Sequence, residues 1–414
     1  MKENILSNLN DPAQLEKLYR TDKSAFKRAF NALYPELKND TLTGFWNARL
    51  NFPKDDITWG SRTDLLFVII ASLIGGLIAK LPVILGIDEE LFYMRNLGFI
   101  VFPALTFYFA WKNKLPAGKI AFIAGATLFG LIFINALPDD KKSDTLVLSC
   151  IHLALFLWAI FGFSFVGEWR NDQVKRLAYL RFNGDMIVMT TLIVIAGFIM
   201  SAVTMGLFSL IGINIEKFYG NYIVVFLLPA APFLGTYLVR TNPQLIGKVS
   251  PVIAKIFSPL VLVMLVVYLI AIIYSGKNPY NDREFLLMFN GLLIGVMAII
   301  FFSVAESSKS IAGKTETFVL LLLSVVTVIV NCIALSAIVF RISEWGFTPN
   351  RTAVLGGNVL ILVNLLMVTA QLFKTQTKRG DLTGVGKAMA GYLPVYCLWA
   401  LIVTFLFPLI FGFK

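Results

Sequence analysis

Residues 65–86 read LLFVIIASLIGGLIAKLPVILG, with Lys80 as the only charge. About 20 consecutive apolar residues cross the hydrocarbon of a bilayer. No water there can satisfy a backbone N–H or C=O, so the run is read as a helix despite its β-branched residues. Working outward, ten further runs follow, giving expected spans at 65–86, 93–111, 117–137, 145–167, 186–212, 219–239, 253–275, 285–305, 316–340, 352–373 and 388–412. The chain has 414 residues, 57% hydrophobic and 15% charged. Soluble domains average about 45–50% apolar and about 25% charged residues, so a soluble fold is excluded. The fold class read here is all-α: a polytopic transmembrane helical bundle of about eleven spans at 64–414, with a small N-terminal cytosolic helical module at 1–63.

The module is polar and has no early apolar region, so it is not a signal peptide. Asp11-Pro12-Ala13-Gln14 reads as a helix start, with Asp11 accepting free N–H groups and Pro12 in the first turn. A second helix is expected from Thr21 or Asp22, carrying Phe26, Phe30 and Leu33, and a third carries Leu42, Phe45, Trp46 and Leu50. A unit this small sits near the lower limit for folding alone, so it is expected to lean on the membrane bundle or on a partner protein.

The net charge of +11 does not point to nucleic acid. In a polytopic chain it comes from basic cytoplasmic loops. With the N-terminus inside, one set of loops holds roughly twice as many Lys and Arg as the other, Arg170, Lys175, Arg176 and Arg181 among them. The expected site is a bacterial cytoplasmic (inner) membrane, N-terminus inside and C-terminus outside. Val174, Leu177, Leu180 and Phe182, interleaved with those bases, suggest either a helix lying on the cytoplasmic membrane surface or an ordinary connector.

Catalysis or ion coupling inside a membrane needs buried ionisable groups, and the sequence shows few. Asp64, Glu168, Glu216, Glu306 and Glu316 fall at expected helix ends, in reach of water. Lys80 is placed to snorkel, and His152 reads as a packing residue. Cys150, Cys332 and Cys397 have no metal-like or disulfide spacing. No catalytic residue, metal ligand or cofactor is assigned, and enzyme activity is disfavoured though left open. Ser308-Lys-Ser-Ile-Ala-Gly-Lys-Thr315 ends like a phosphate-binding loop, but it lacks the first glycine and the preceding strand.

Two features stand out as candidate binding elements. Pro229 and Pro232 in the sixth span remove two backbone donors, and the helix is expected to break there and free carbonyls for a ligand. Gly75 and Gly76 in the first span are expected to border the same pocket. The second element is the loop Arg341-Ile-Ser-Glu344-Trp345-Gly-Phe-Thr-Pro-Asn-Arg351, read as a turn locked by Glu344 pairing with Arg341 or Arg351, or as a headgroup or anion site.

Arg341…Trp345-Gly-Phe-Thr-x-x-Arg351, with Tyr179-Leu-Arg-Phe-Asn-Gly-Asp185 and Leu210-Ile-Gly-Ile-Asn-Ile-Glu216-Lys-Phe-Tyr219, resembles an uncharacterised bacterial polytopic family labelled domain of unknown function 4153, over roughly 170–410. The resemblance implies an inner-membrane protein and supplies no activity. Two functions stay open: a transporter or permease for a small solute of unknown identity, or a non-transporting scaffold or sensor that docks a partner through the cytosolic helices.

Overall fold

The computed structural model describes residues 1–37, 41–51, 60–167, 172–210, 213–275, 280, 283–307, 314–377 and 381–413. Glu168 and most of the 308–315 segment lie outside them. The chain divides into two compact units, Met1–Thr58 and Trp59–Lys414.

The first unit holds α1 (Lys2–Leu6), α2 (Pro12–Thr21), α3 (Lys23–Leu33) and α4 (Thr41–Asn51). Asp11 opens α2 by accepting from the amides of Ala13 and Gln14, with Pro12 in the first turn. Asp22 opens α3 by accepting from Ala25. Leu15, Phe26, Phe30, Trp46 and Leu50 form its core. Phe45, expected on that face, is 69% exposed. Arg20, then Arg49, hold the Glu16 carboxyl below the usual carboxylate range.

The second unit is helical in every regular element described: α5 (Arg62–Leu85), α6 (Glu89–Lys112), α7 (Ala117–Ala136), α8 (Asp144–Val166), α9 (Gln173–Leu210), α10 (Glu216–Phe218), α11 (Val225–Thr241), α12 (Pro243–Ser275), α13 (Arg283–Ser307), α14 (Lys314–Trp345), α15 (Pro349–Gln376), α16 (Leu382–Leu401) and α17 (Phe407–Ile410). π-helical turns join α10 to α11 at Tyr219–Val224 and α16 to α17 at Ile402–Leu406. Ser61, Asp88, Ser143, Thr348 and Asp381 cap helix starts by accepting backbone N–H groups. Gly86 and Gly167 end α5 and α8 at φ 66° and 75°, a left-handed turn that costs glycine little.

Among the described residues, ten helical segments are long and apolar enough to cross a bilayer. The expected eighth span falls in α13, whose described apolar stretch, Asn290–Glu306, is shorter. The chain is thus an all-α polytopic membrane protein with about ten long apolar helices and a separate, non-spanning N-terminal helical unit.

Two hydrophobic centres hold the bundle. One joins α5, α6, α8, α9 and α11 through Val68, Phe109, Phe161, Phe182 and Phe233. The other joins α12 to α16 through Leu265, Ile300, Leu323, Leu365 and Met389. α9 packs on both α11 and α16. Its 38 residues make a helix about 57 Å long at ~1.5 Å per residue, well beyond the ~30 Å hydrocarbon. This corrects both readings of 168–185, a surface helix or a connector, over its described part from 173. That stretch continues the fifth span, with Tyr179, Phe182, Asn183 and Asp185 buried. Tyr179 donates to the Trp158 carbonyl at 2.7 Å, and the Trp158 indole donates to Asn183 at 2.9 Å. Such bonds fix the segment against α8 rather than along the lipid.

Candidate functional site

The glycines of α5 and the prolines of α11 do meet, but as packing. A Cβ on Gly76 would fall 2.1 Å from the Phe226 ring, and one on Gly75 would fall 3.2 Å from Phe233 and 3.3 Å from Pro229. The missing side chains are the space that these rings and Pro229 occupy. α11 stays helical through Pro229 and Pro232, so the expected break is not there. The backbone instead widens just upstream, in the π-turn Tyr219–Val224. That turn ends beside Val225, whose carbonyl the Pro229 ring would otherwise strike, and widening there accommodates the ring.

In the grooves lined by described residues, the two elements fall on different walls. Gly75 lines an apolar groove of about 550 Å³ between α5 and α6. Pro229 lines a separate apolar groove of about 810 Å³ shared with Arg95, Gly98 and Ala154. Lys80 turns onto the π-turn. It is 9% exposed, and its ammonium donates to the Asn221 carbonyl at 2.8 Å, 4.5 Å from the centre of the Tyr222 ring. The widened turn therefore does present a carbonyl, and the chain's own cation occupies it.

In the 341–351 loop, Glu344 is exposed, and the lock runs through the backbone. Arg351 donates to the carbonyls of Trp345 and Gly346, both at 2.8 Å. Arg341 and Arg351 also lie 5.4 and 5.7 Å from the Trp345 ring. Thr348 accepts from the Arg351 amide and caps α15. The expected Glu344 ion pair is replaced by these contacts because closing the last turn of α14 leaves its final carbonyls without donors.

The sequence reading missed the ionisable groups that helix packing buries. Asp64, at the start of α5, pairs with Lys112 at 2.6 Å and accepts from Tyr108 at 3.2 Å. Asp185 accepts from Ser250 at 2.6 Å. Arg181 donates to the Ala305 carbonyl and pairs with Glu306 at 3.4 Å. One turn from Glu306, Ser303 bonds Ser258 at 2.8 Å. Arg181 and Asp185 stand at i,i+4 on α9, and Ser303 and Glu306 at i,i+3 on α13, so each pair shares a helix face. That spacing was the available signal. Asp185 and Glu306 are 6% and 3% exposed, and together these residues form an ionic seam joining α9, α12 and α13.

A second seam lies well inside α13 to α16 and carries no charge. Asn358 donates to Asn290 at 2.8 Å, Asn331 to the Asn358 carbonyl at 3.2 Å, and Asn364 to the Tyr396 hydroxyl at 3.1 Å. Asn331 and Asn364 are 0% exposed. Their side-chain carbonyl oxygens have no hydrogen-bond partner among the described residues. Each of these asparagines thus carries one buried acceptor without a donor among the described residues, an exception to the usual pairing of buried polar atoms.

His152 places Nδ1 2.8 Å from the Leu148 carbonyl on its own helix. Among the described residues no three His, Cys, Asp or Glu side chains gather as a metal centre would require. Comparison with family models, with curated proteins and with solved structures finds no match.

Proposed function

We propose that this polytopic membrane protein is a transporter or permease for a small polar solute, and that the amide seam of α13 to α16 is where the solute binds. The observation that carries the reading is the pair of fully buried, partnerless carbonyl oxygens on Asn331 and Asn364. A solute bearing hydroxyl, amide or ammonium donors would satisfy both. Buried polar groups inside spanning helices are costly and mark substrate paths. The ionic seam of Arg181, Asp185, Ser250 and Glu306 then acts as a strap that ties α13, the one helix the two seams share, to α9 and α12.

Thermal shift of the purified chain against a panel of polyols, amides and amines tests this, followed by counterflow in vesicles. Asn331→Leu and Asn364→Leu should each abolish a solute's shift. If no solute gives a shift and both variants are simply more stable, the seam is packing. The second reading, a scaffold or sensor, would then be preferred. It is supported by the separate N-terminal unit with its own core.

The orientation rests on the Lys and Arg bias: N-terminus inside, in a bacterial inner membrane. A single cysteine at position 141 should react with an impermeant thiol reagent in intact cells, and one at position 175 should not. The reverse pattern would invert the topology. The likeness to the domain of unknown function 4153 family rests on its short motifs alone.

A further inference from the structure

The core of the N-terminal unit takes Trp46 and Leu50 from α4, yet Phe45 on the same helix is 69% exposed. A lone exposed ring is ordinary on a protein surface. The neighbours of this one are not. Arg49 stands one turn on from Phe45, so the two share a helix face. Arg49 pairs with Glu16 at 2.8 Å and lies over the rings of Trp46 and Tyr19, at 4.8 and 5.2 Å. Arg20 pairs with the same carboxylate at 2.9 Å, and the Lys23 ammonium lies 5.8 Å from the centre of the Tyr19 ring.

Three cations therefore gather about one carboxylate and one ring. Arg20 and Arg49 share Glu16, and Lys23 has no carboxylate partner among the described residues. Asp22, beside Lys23, turns its carboxylate to the start of α3 and accepts from the Ala25 amide. The patch stays positive even with Asp22 counted. Its cations also face solvent, the side chains of Arg20 and Arg49 being 77% and 51% exposed.

The chain brings a bilayer to this patch. α4 ends at Asn51 and the first spanning helix begins at Arg62. Ten residues reach at most ~36 Å when fully extended, which tethers the unit beside a bilayer surface on whichever side α5 starts. An aromatic ring flanked by Lys and Arg is the composition that enters a headgroup layer, and anionic lipids draw cations to it. We infer that the face formed by Phe45, Arg49, Arg20 and Lys23 docks the N-terminal unit on anionic phospholipid, with the ring among the headgroups and the cations against the phosphates. The inference does not depend on transport.

The test uses the full chain in nanodiscs of phosphatidylcholine, alone or mixed with phosphatidylglycerol. A nitroxide is attached at Ala48→Cys, an exposed position three residues on from Phe45, after Cys150→Ala, Cys332→Ala and Cys397→Ala. Its collision rates with oxygen and with a water-soluble nickel chelate report depth. In mixed discs the label should meet oxygen more than nickel, and in phosphatidylcholine the order should reverse. Lys23→Gln should lower the ratio of immersed to water-facing label about fivefold, the factor expected of one cation at an anionic surface. Lys23→Arg should keep the ratio, and Phe45→Ser should lower it. Molar salt, which cuts the Debye length to about 3 Å, should release the label with no substitution in the patch, and it decides the matter if a variant does not fold. Equal immersion in both lipids, immersion that survives molar salt, or an unchanged ratio in folded Lys23→Gln or Phe45→Ser would each overturn the site. A label that meets neither probe would place protein on this face and would overturn it as well.

Discussion

Removing both partners of the Arg181–Glu306 pair should cost less than the sum of removing each alone. The Glu306 side chain is 1% exposed and that of Arg181 is 21% exposed. Arg181→Met takes a cation from a buried carboxylate, and removing one partner of a buried pair costs about 3–5 kcal/mol. Glu306→Leu leaves the guanidinium on the Ala305 carbonyl, so the smaller loss of a charged hydrogen bond applies, about 1.5–3 kcal/mol. The double variant removes both charges. Its cost should fall below the sum of the singles by roughly 2 kcal/mol, within the range found for contacting residues. The assay is unfolding in mixed micelles of increasing dodecyl sulfate, on a Cys332→Ala background, with a thiol dye reporting the release of buried Cys150. Costs that add within about 0.5 kcal/mol would refute the reasoning and reduce the pair to a proximity of two independently solvated groups.

Three other outcomes follow from the contacts. Gly76→Ala should destabilise by about 1–3 kcal/mol through overpacking against Phe226, and adding Phe226→Leu should recover part of that; a neutral Gly76→Ala would show that α5 and α11 do not pack at that point. Arg351→Ala should cost about 1–2 kcal/mol through its two carbonyl bonds, whereas exposed Glu344→Ala should stay within about 0.5 kcal/mol; the reverse order in the same dodecyl sulfate assay would restore the ion-pair reading. The Leu91 amide, then Lys141, hold the Asp88 carboxyl below its usual range, so its stabilisation is present above pH ~4 and is lost as pH falls through the lowered folded value. Melting temperature between pH 3 and 6 should therefore drop less in Asp88→Asn than in the wild type, and parallel curves would count against it.

The fold was legible because hydrocarbon leaves a chain so few choices. Residues 65–86 can only be a helix there, and the cap signals at Asp11 and Thr348 are local enough to read from neighbouring positions. The α9 segment was misread because basic residues among apolar ones suit a surface helix and a helix extension equally. Only partners more than twenty positions away, Trp158 and Ala305, distinguish the two. The same limit hid the sites. Asp64 and Glu306 do stand at helix ends, but burial depends on which helices close over an end, and that is not written in the helix itself. Pro229 and Pro232 were legible as a perturbation, yet the chain placed the distortion one turn upstream, where a lysine five helices earlier in the sequence's spans could meet it.

The two halves of the bundle divide the polar chemistry between them. α5, α6, α8 and α11 line two apolar grooves, one of them also lined by Arg95, and α13 to α16 hold the neutral amide seam. α9 belongs to both. Tyr179 and Phe182 anchor it in the first hydrophobic centre, while Arg181 and Asp185, on the same stretch, reach α13 and α12. Any movement of one half against the other must therefore either carry α9 away from its aromatic anchor or part the contacts to Glu306 and Ser250. The aromatic anchor is a dense cluster in which Phe182 touches Phe109, Phe161 and Phe165 at 5.1–6.2 Å between ring centres. The polar contacts described, Arg181 to Glu306 and Asp185 to Ser250, bring no ring packing with them. Parting them loses less packing, so the ionic seam is where the halves would separate, and a strong Arg181–Glu306 coupling would measure how firmly the seam is held shut.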